Sequence, residues 1–474
     1  MTPKQILAFA VGPIGAAALG LITLPFIAWF FPLEDIGRLS MLQVVTSFSI
    51  LLFTLGLDQA YVREFHEVTD RAALLRAAVL PGFALLTLAL VCILLLPWSI
   101  SELLFGINSI FLTTLLVAAI FLQFFSRFLS LILRMQEKGL AYSMSQLLPK
   151  VLFLVILICY FLLDVEAVFE NLMIANVISL FAIFLVYAWN TRGDWSIALI
   201  AKIDSNQQKQ MIKFGIPLIG GGIAFWGLTA TDKLFLRGLS SFEELGIYSV
   251  SISFAAVALV FQAIFSTVWA PIVYKWASQG IDTAKIKEVI DYCTLAIVTI
   301  WSLAGMFSWL VGYILPAGYG SVQYILLAAM AYPLLYTLSE STGIGIGVRR
   351  KTFYSMLAAV LALILNTIGN WYLVPTYGAA GAAIASAVAF LIFFIIRTEA
   401  SSFLWYSFER KRMYALIALM VSLSIFVNIK NLEPKILTFI YLTTLIVNFV
   451  LFKTQLMEGV GYIYRRATKK SRLR

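Results

Sequence analysis

Long stretches without a charged residue limit this chain to one environment. Residues 151–163, 295–315 and 352–394 contain no Asp, Glu, Lys, Arg or His. Across the 474 residues, hydrophobic side chains make up 61% and charged side chains 12%, whereas soluble domains are nearer half apolar and a quarter charged. Crossing a bilayer takes about 20 apolar residues, and at these lengths only helices satisfy their own backbone hydrogen bonds in lipid. The sequence therefore predicts an all-α polytopic membrane protein.

Charged and Pro/Gly-rich segments divide the chain into fourteen predicted transmembrane helices. They cover residues 6–31, 36–60, 73–97, 108–133, 140–163, 167–190, 211–238, 243–270, 288–315, 319–347, 352–374, 377–400, 413–429 and 436–452. Lys and Arg concentrate in alternate connections and in the tail at 464–474, which predicts that both termini are cytoplasmic. This bias accounts for the net charge of +10 without a nucleic-acid partner.

A short motif occurs twice. Residues 33–40 read LEDIGRLS and residues 242–249 read FEELGIYS, and the helices before them open with FAVGPIG and FGIPLIG. Duplication of six helices inserts both copies in one orientation, and transporters built in this way bind substrate between the repeats. The predicted organisation is an N-lobe at 1–190, a cytoplasmic linker at 191–210, a C-lobe at 211–400, and two appended helices with a basic tail at 401–474.

The predicted connections are short. None exceeds about twenty residues, which leaves no room for a soluble catalytic or nucleotide-binding domain. A membrane glycan polymerase, ligase or glycosyltransferase generally needs a large periplasmic loop that carries catalytic or acceptor-binding residues. The sequence therefore favours a transporter without a cofactor over an enzyme.

Ionisable residues at bilayer depth mark functional positions, because each costs at least about 2.5 kcal/mol to insert. The fourth predicted helix places Gln123 and Arg127 on one stripe, and the fifth does the same with Gln146 and Lys150. Two interpretations remain for the two cations: a water-filled cavity that binds an anion, or a structural pair with a carboxylate such as Glu340 or snorkelling to the interface. The mid-helix depth of Lys150 argues against snorkelling.

Other polar residues lie in the remaining helices. Asp232, Lys233 and Arg237 fall toward the outer end of the seventh predicted helix, and Asp232 and Lys233 are either an outer-gate ion pair or ordinary interface charges. Further candidates are Asp58 and Glu340, for ion coupling or gating, and Asn366 and Asn370, which either line a cavity or form hydrogen bonds between helices.

Several motifs together resemble the polysaccharide biosynthesis (O-antigen, Wzx-type) flippases of the multidrug/oligosaccharidyl-lipid/polysaccharide exporter superfamily. The resemblance covers about residues 6–400. Its motifs are Asp35-Ile36-Gly37, Gly56-Leu57 with Arg63, Phe214-Gly215-Ile216-Pro217 with Trp226, Asp232-Lys233, 244–249, Trp269-Ala270-Pro271, and Asn366 with 374–383. It implies two six-helix lobes in a V-shape, commonly with two extra helices.

The resemblance also implies a function. Such proteins move undecaprenyl-pyrophosphate-linked glycan units to the periplasmic leaflet of the bacterial inner membrane by alternating access, driven by a proton or sodium gradient or by membrane potential. The units supply lipopolysaccharide O-antigen, capsule or exopolysaccharide, with a polymerase and a chain-length regulator as partners. Arg127, Lys150, Lys233 and Arg237 are the predicted pyrophosphate ligands, and Asp58, Asp232 and Glu340 the predicted coupling or gating groups. Alternatives are a drug/cation antiporter, which would favour an acidic cavity, and a peptidoglycan-precursor flippase.

Overall fold

The computed structural model describes residues 3–95, 99–136, 138–279 and 284–458, and these residues are helical with no β-strand among them. The first part contains α1 (Pro3–Phe30), α2 (Leu33–Phe53), α3 (Leu57–Glu64), α4 (Arg71–Leu95), α5 (Ile100–Phe105), α6 (Ile110–Met135), α7 (Gly139–Leu162), α8 (Phe169–Asn190), α9 (Arg192–Ala198), α10 (Ser205–Leu239) and α11 (Phe242–Ala255).

The second part contains α12 (Val257–Ser278), α13 (Ala284–Phe307), α14 (Val311–Ile314), α15 (Val322–Ala329), α16 (Ala331–Thr342), α17 (Ile344–Val348), α18 (Phe353–Leu404), α19 (Lys411–Lys430) and α20 (Pro434–Leu451), with 3-10 turns at Ser308–Leu310 and Ala317–Tyr319. The predicted basic tail at 464–474 lies outside the described residues.

The predicted fold class is confirmed. Among the described residues, 11 helical segments are long and apolar enough to cross a membrane, and two shorter apolar stretches occur at Ala18–Phe30 and Gln146–Leu162. The long helix α18 changes direction at Gly378, whose φ of 52° suits glycine. Counting the two halves of α18 separately, and including the shorter stretches, gives fourteen, although the predicted helix at 243–270 is two helices, α11 and α12.

The predicted helix at 36–60 is wrong in one respect: it is two helices. The chain turns at Leu55 and Gly56, both with positive φ, so that α2 ends at Phe53 and α3 begins at Leu57. The reason is a close approach of two backbones, since a Cβ built on Gly56 would lie 2.4 Å from the Gly215 carbonyl oxygen. Only glycine leaves room for that contact.

Contacts divide the chain into two compact units, Met1–Ser253 and Phe254–Arg474. In the first unit, α10 packs on α2 and α3, and α1 packs on α7. The predicted linker contributes α9 and the beginning of α10. The lobe boundaries at 190 and 211 stay a prediction.

The core of the second unit is the second half of α18. Helix α18 packs on α15 and α16, and its second half carries buried small side chains such as Ala379, Ala382, Ala383 and Ala387. Small residues let helix backbones approach closely where lipid removes the usual hydrophobic drive for helix association. This half of α18 also carries Arg397 and positions it in the unit's interior.

Candidate functional site: charged residues within the helices

The structure joins two of the predicted site residues, Arg127 on α6 and Asp58 on α3. The Nη2 atom of Arg127 lies 2.6 Å from Oδ2 of Asp58, and its Nε atom donates to the same oxygen at 3.1 Å. The Asp58 side chain is 9% exposed and that of Arg127 is 35% exposed. Asp58 occupies the first turn of α3, where the helix dipole favours a carboxylate. The predicted anion ligand therefore has a resident counter-ion, which is Asp58 and not Glu340.

Lys150 has a different environment. Its Nζ atom donates to the Ala16 carbonyl oxygen of α1 at 2.6 Å, and the residue is exposed. Among the described residues, no carboxylate forms an ion pair with it within 4.0 Å. An ammonium has three donors, so a backbone carbonyl leaves its charge uncompensated. Gln146, one turn earlier, is half-buried, as is Gln123 on α6.

The three charged residues near the end of α10 have separate surroundings. Asp232 is buried and accepts a hydrogen bond from the Tyr248 hydroxyl, and Lys233 is half-buried. Arg237 donates to carbonyl oxygens at the C-terminal end of α5, including that of Leu103 at 3.1 Å, where a cation complements the helix dipole. Its guanidinium also lies over the Phe242 ring, 4.6 Å from the centroid. These contacts already engage Arg237 within the protein.

The two copies of the repeated motif pack against each other in the first unit. A Cβ built on Gly37 would lie 2.1 Å from the carbonyl oxygen of Phe242, and one built on Gly246 would lie 2.3 Å from that of Leu33. Leu33 and Phe242 hold the same position in the motif, as do Gly37 and Gly246, so the contact is reciprocal. We call these four residues the motif crossing. Such reciprocity is expected of two elements related by a two-fold axis.

In the second unit, Glu340 lines a polar cavity of about 230 Å³ together with Trp269 and Arg397. Glu340 accepts a hydrogen bond from the Ser266 hydroxyl. Arg397 donates to the Ser339 hydroxyl at 2.9 Å. Within the described residues, the buried Nε1 of Trp269 and Nε of Arg397 have no hydrogen-bond partner. Buried donors without partners indicate a place for water or a ligand.

Arg397 is a site residue that the sequence analysis missed. It lies near the end of the predicted helix at 377–400, where a cation is typical of the residues that set topology. Two aromatic rings cover its guanidinium, which lies 5.2 Å from the centroid of Phe393 and 5.9 Å from that of Tyr336. Phe393 lies one turn away on α18, and Tyr336 lies on α16. Arg is well suited to such stacked, partly desolvated positions.

Asn366 and Asn370 lie in the interior of the second unit, and neither is exposed. Asn366 donates to the Ser386 hydroxyl at 3.2 Å and so links the two halves of α18. Asn370 donates to the Asn366 carbonyl oxygen at 2.9 Å. The bond from Asn366 thus joins two helical segments, whereas this bond of Asn370 lies within one helix, and the role of both amides at a cavity stays a prediction.

The fold defines a class, that of multi-pass helical membrane proteins. Of the solved structures it resembles, "Lipid II flippase MurJ, inward closed conformation" has a TM-score of 0.67 at 13% identity, covering 95% of this chain and 100% of that one. An inward-facing multidrug resistance MATE family transporter of the MOP superfamily has a TM-score of 0.54 at 15% identity, covering 85% and 96%. At these identities the likeness concerns the fold alone.

Sequence comparison then gives the family. Residues 4–276 match the model of the family described as "Polysaccharide biosynthesis protein", and the chain belongs to this family. A relative from Haloferax volcanii, "Probable low-salt glycan biosynthesis flippase Agl15", is 23% identical over 264 residues. That match covers 52% of this chain and 52% of that protein.

Proposed function

We propose that the protein is a flippase that carries undecaprenyl-pyrophosphate-linked oligosaccharide units from the cytoplasmic to the periplasmic leaflet. The observation that carries the proposal is the uncompensated cation of Lys150 within an apolar helix. An exposed ammonium at that depth is costly unless it meets an anion or water, and a pyrophosphate is the anion that a lipid-linked glycan supplies. Family membership and the name of the Haloferax relative support the same cargo class.

In this mechanism, Lys150 and Arg127 bind the pyrophosphate in a cavity open to the cytoplasm. Asp58 holds the Arg127 guanidinium in place and exchanges with the incoming phosphate oxygens. Lys233 is the next cation toward the outer leaflet. Arg237 is assigned to positioning Phe242 rather than to the cargo, because its donors serve the carbonyl groups of α5. The polyprenyl chain stays in the bilayer throughout.

The first test replaces Lys150. Lys150→Ala is expected to abolish the surface glycan because it removes the uncompensated cation, while the protein still inserts into the membrane. Glycan is measured by immunoblot of cells that lack the native gene, and insertion by quantifying the protein in membranes. Lys138→Ala is the matched control, since that lysine precedes α7 at its predicted cytoplasmic end. Normal glycan with Lys150→Ala would contradict the assignment of this residue to the cargo.

We propose that Glu340 couples an ion to the conformational change. Glu340→Gln keeps an acceptor for the Ser266 hydroxyl and removes only the charge, so export is expected to fall with little loss of thermal stability. Initial rates of glycan export are measured in cells whose proton or sodium gradient is collapsed in turn. Wild-type protein should lose export with one of the two gradients, and the variant should be insensitive to both. A variant that exports normally and responds like wild type would exclude this role.

A peptidoglycan-precursor flippase is the second candidate, and the likeness to the lipid II flippase favours it. Both cargoes present a polyprenyl pyrophosphate to the same cations. Complementation separates them: rescue of a strain depleted of its lipid II flippase would assign that cargo, and rescue of surface glycan alone would assign the oligosaccharide.

We further propose inner-membrane residence with cytoplasmic termini. The final product, whether O-antigen, capsule or exopolysaccharide, then depends on the polymerase and chain-length regulator with which the flippase works.

A further inference from the structure

The first unit contains an apolar cavity that the flipping mechanism does not use. It has a volume of about 450 Å³, within the range of ligand-binding pockets, and lies among α4, α6, α8 and α9. Its walls are aromatic: the rings of Phe83, Phe125 and Phe184 form a connected series with centroid distances of 5.3 and 6.5 Å. Apart from Arg76 and the indole of Trp195, the lining is entirely hydrophobic.

The cavity is polar at one end only. Arg76 lies one to two turns into α4, whereas Phe83 lies two turns deeper. On α6 and α8 the lining residues other than Phe121 belong to the C-terminal halves, and α9 covers the same end as Arg76. The predicted topology places these ends at the cytoplasmic surface. The charged end thus faces the headgroup region and the aromatic end faces the bilayer interior, which matches the polarity of a lipid in the cytoplasmic leaflet.

Arg76 has capacity for an anion. Its Nη1 atom donates to the Ala201 carbonyl oxygen at 2.6 Å, which uses one of the five guanidinium N–H groups. Within the described residues, no ion pair within 4.0 Å involves it. Two exposed basic residues lie at the same predicted surface, Arg192 at the start of α9 and Lys202 next to Ala201. Basic pockets between helices on the cytoplasmic side bind anionic lipid headgroups.

We propose that this cavity is a binding site for an anionic phospholipid, with one acyl chain among the phenylalanine rings and the phosphate at Arg76. The volume takes a single hydrocarbon chain and leaves no room for one of polyprenyl length. Phospholipids also far outnumber any glycan carrier in the leaflet. A site that recognises only one charge and one hydrocarbon chain is therefore occupied by the more abundant lipid, through mass action. The bound lipid anchors α9 against α4, α6 and α8.

The test uses the full-length protein, purified in detergent and titrated with phosphatidylglycerol or phosphatidylcholine while bound lipids are counted by native mass spectrometry. Arg76→Gln is expected to weaken binding of the first phosphatidylglycerol by about 5-fold, the effect of one basic residue at a membrane surface, and to leave phosphatidylcholine binding unchanged. Arg71→Gln, which removes a charge outside the cavity, should behave like wild type. Ala188→Phe, which places a ring in the cavity, should lose the tight site for both lipids.

Two outcomes would overturn the proposal. Equal phosphatidylglycerol binding by wild type and Arg76→Gln would show that the guanidinium recognises no headgroup, even if Ala188→Phe fails to fold. Displacement of the first phosphatidylglycerol by an equal concentration of undecaprenyl phosphate would assign the cavity to the carrier chain.

Discussion

Gly37→Ala is expected to destabilise the protein by about 2 to 3 kcal/mol and to abolish glycan export, although it adds a single methyl group. The new Cβ would lie 2.1 Å from the Phe242 carbonyl oxygen and 3.2 Å from the Gly246 nitrogen. Both are backbone atoms, so no side chain can rotate away, and the two helices must separate. Overpacking of this kind typically costs about 1 to 3 kcal/mol. The destabilisation by Gly37→Ala is expected at the upper end of this range, because the atoms that clash belong to the backbone.

The reciprocal geometry supplies the controls. Gly246→Ala should have the same effect, since its Cβ would lie 2.3 Å from the Leu33 carbonyl oxygen. The double variant should cost less than the sum of the two, because one displacement of the helices relieves both clashes. Gly238→Ala on α10 meets no atom within 4 Å and should be neutral or slightly stabilising. Thermal unfolding in detergent measures all four proteins, and equal midpoints for Gly37→Ala and Gly238→Ala would refute the close contact.

The motif crossing also explains why the repeat is visible in the sequence. In each copy, the glycine leaves room for the backbone of the other copy, and the apolar first residue contributes the carbonyl group that approaches the other glycine. Around it, Arg38 donates to the Phe105 carbonyl oxygen at 3.0 Å and forms ion pairs with Asp35 and Glu34. On the predicted topology this cluster lies at the outer surface, so opening of the protein there requires the two motif copies to part.

Helix number and fold class were predictable because apolar length is a local property and lipid admits few alternatives. The break at Gly378 had a local signal, since Pro375 and Gly378 interrupt an otherwise apolar run. The break between α2 and α3 had none. It exists because Gly215 approaches Gly56, a contact between residues far apart in the sequence that no window can detect.

The candidate site divides in the same way. Helical spacing predicted that Arg127 lies on a polar stripe, but its partner Asp58 is 69 residues away along the chain, and no periodicity links them. The position of Lys150 near the middle of its predicted helix was enough to make it a candidate site residue. Arg397 could not be recognised from the sequence, because a cation near a helix end is also typical of the charges that set topology. Its packing against Phe393 and Tyr336 distinguishes a site residue from such a charge.

The Arg127–Asp58 pair determines whether these residues serve folding, cargo binding or both. Asp58→Ala is expected to cost about 2 kcal/mol, between the values for exposed and buried ion pairs, because it leaves a half-buried cation without its partner. Arg127→Ala should cost a similar amount by leaving the carboxylate unpaired. The double variant should be close to either single variant in stability, with a coupling energy of about 1 to 2 kcal/mol. Thermal unfolding of the three proteins measures the cycle, and Arg134→Ala, an exposed cation on the same helix, is its control.

Export assays on the same variants separate the two roles. If Arg127 binds the pyrophosphate, the double variant should be about as stable as either single variant and still fail to export glycan, because the guanidinium is absent from both it and Arg127→Ala. Asp58→Ala should retain partial export, since the cation remains and loses only its resident counter-ion. Recovery of export in the double variant would instead assign the pair to folding alone and leave Lys150 as the cation on which cargo binding rests.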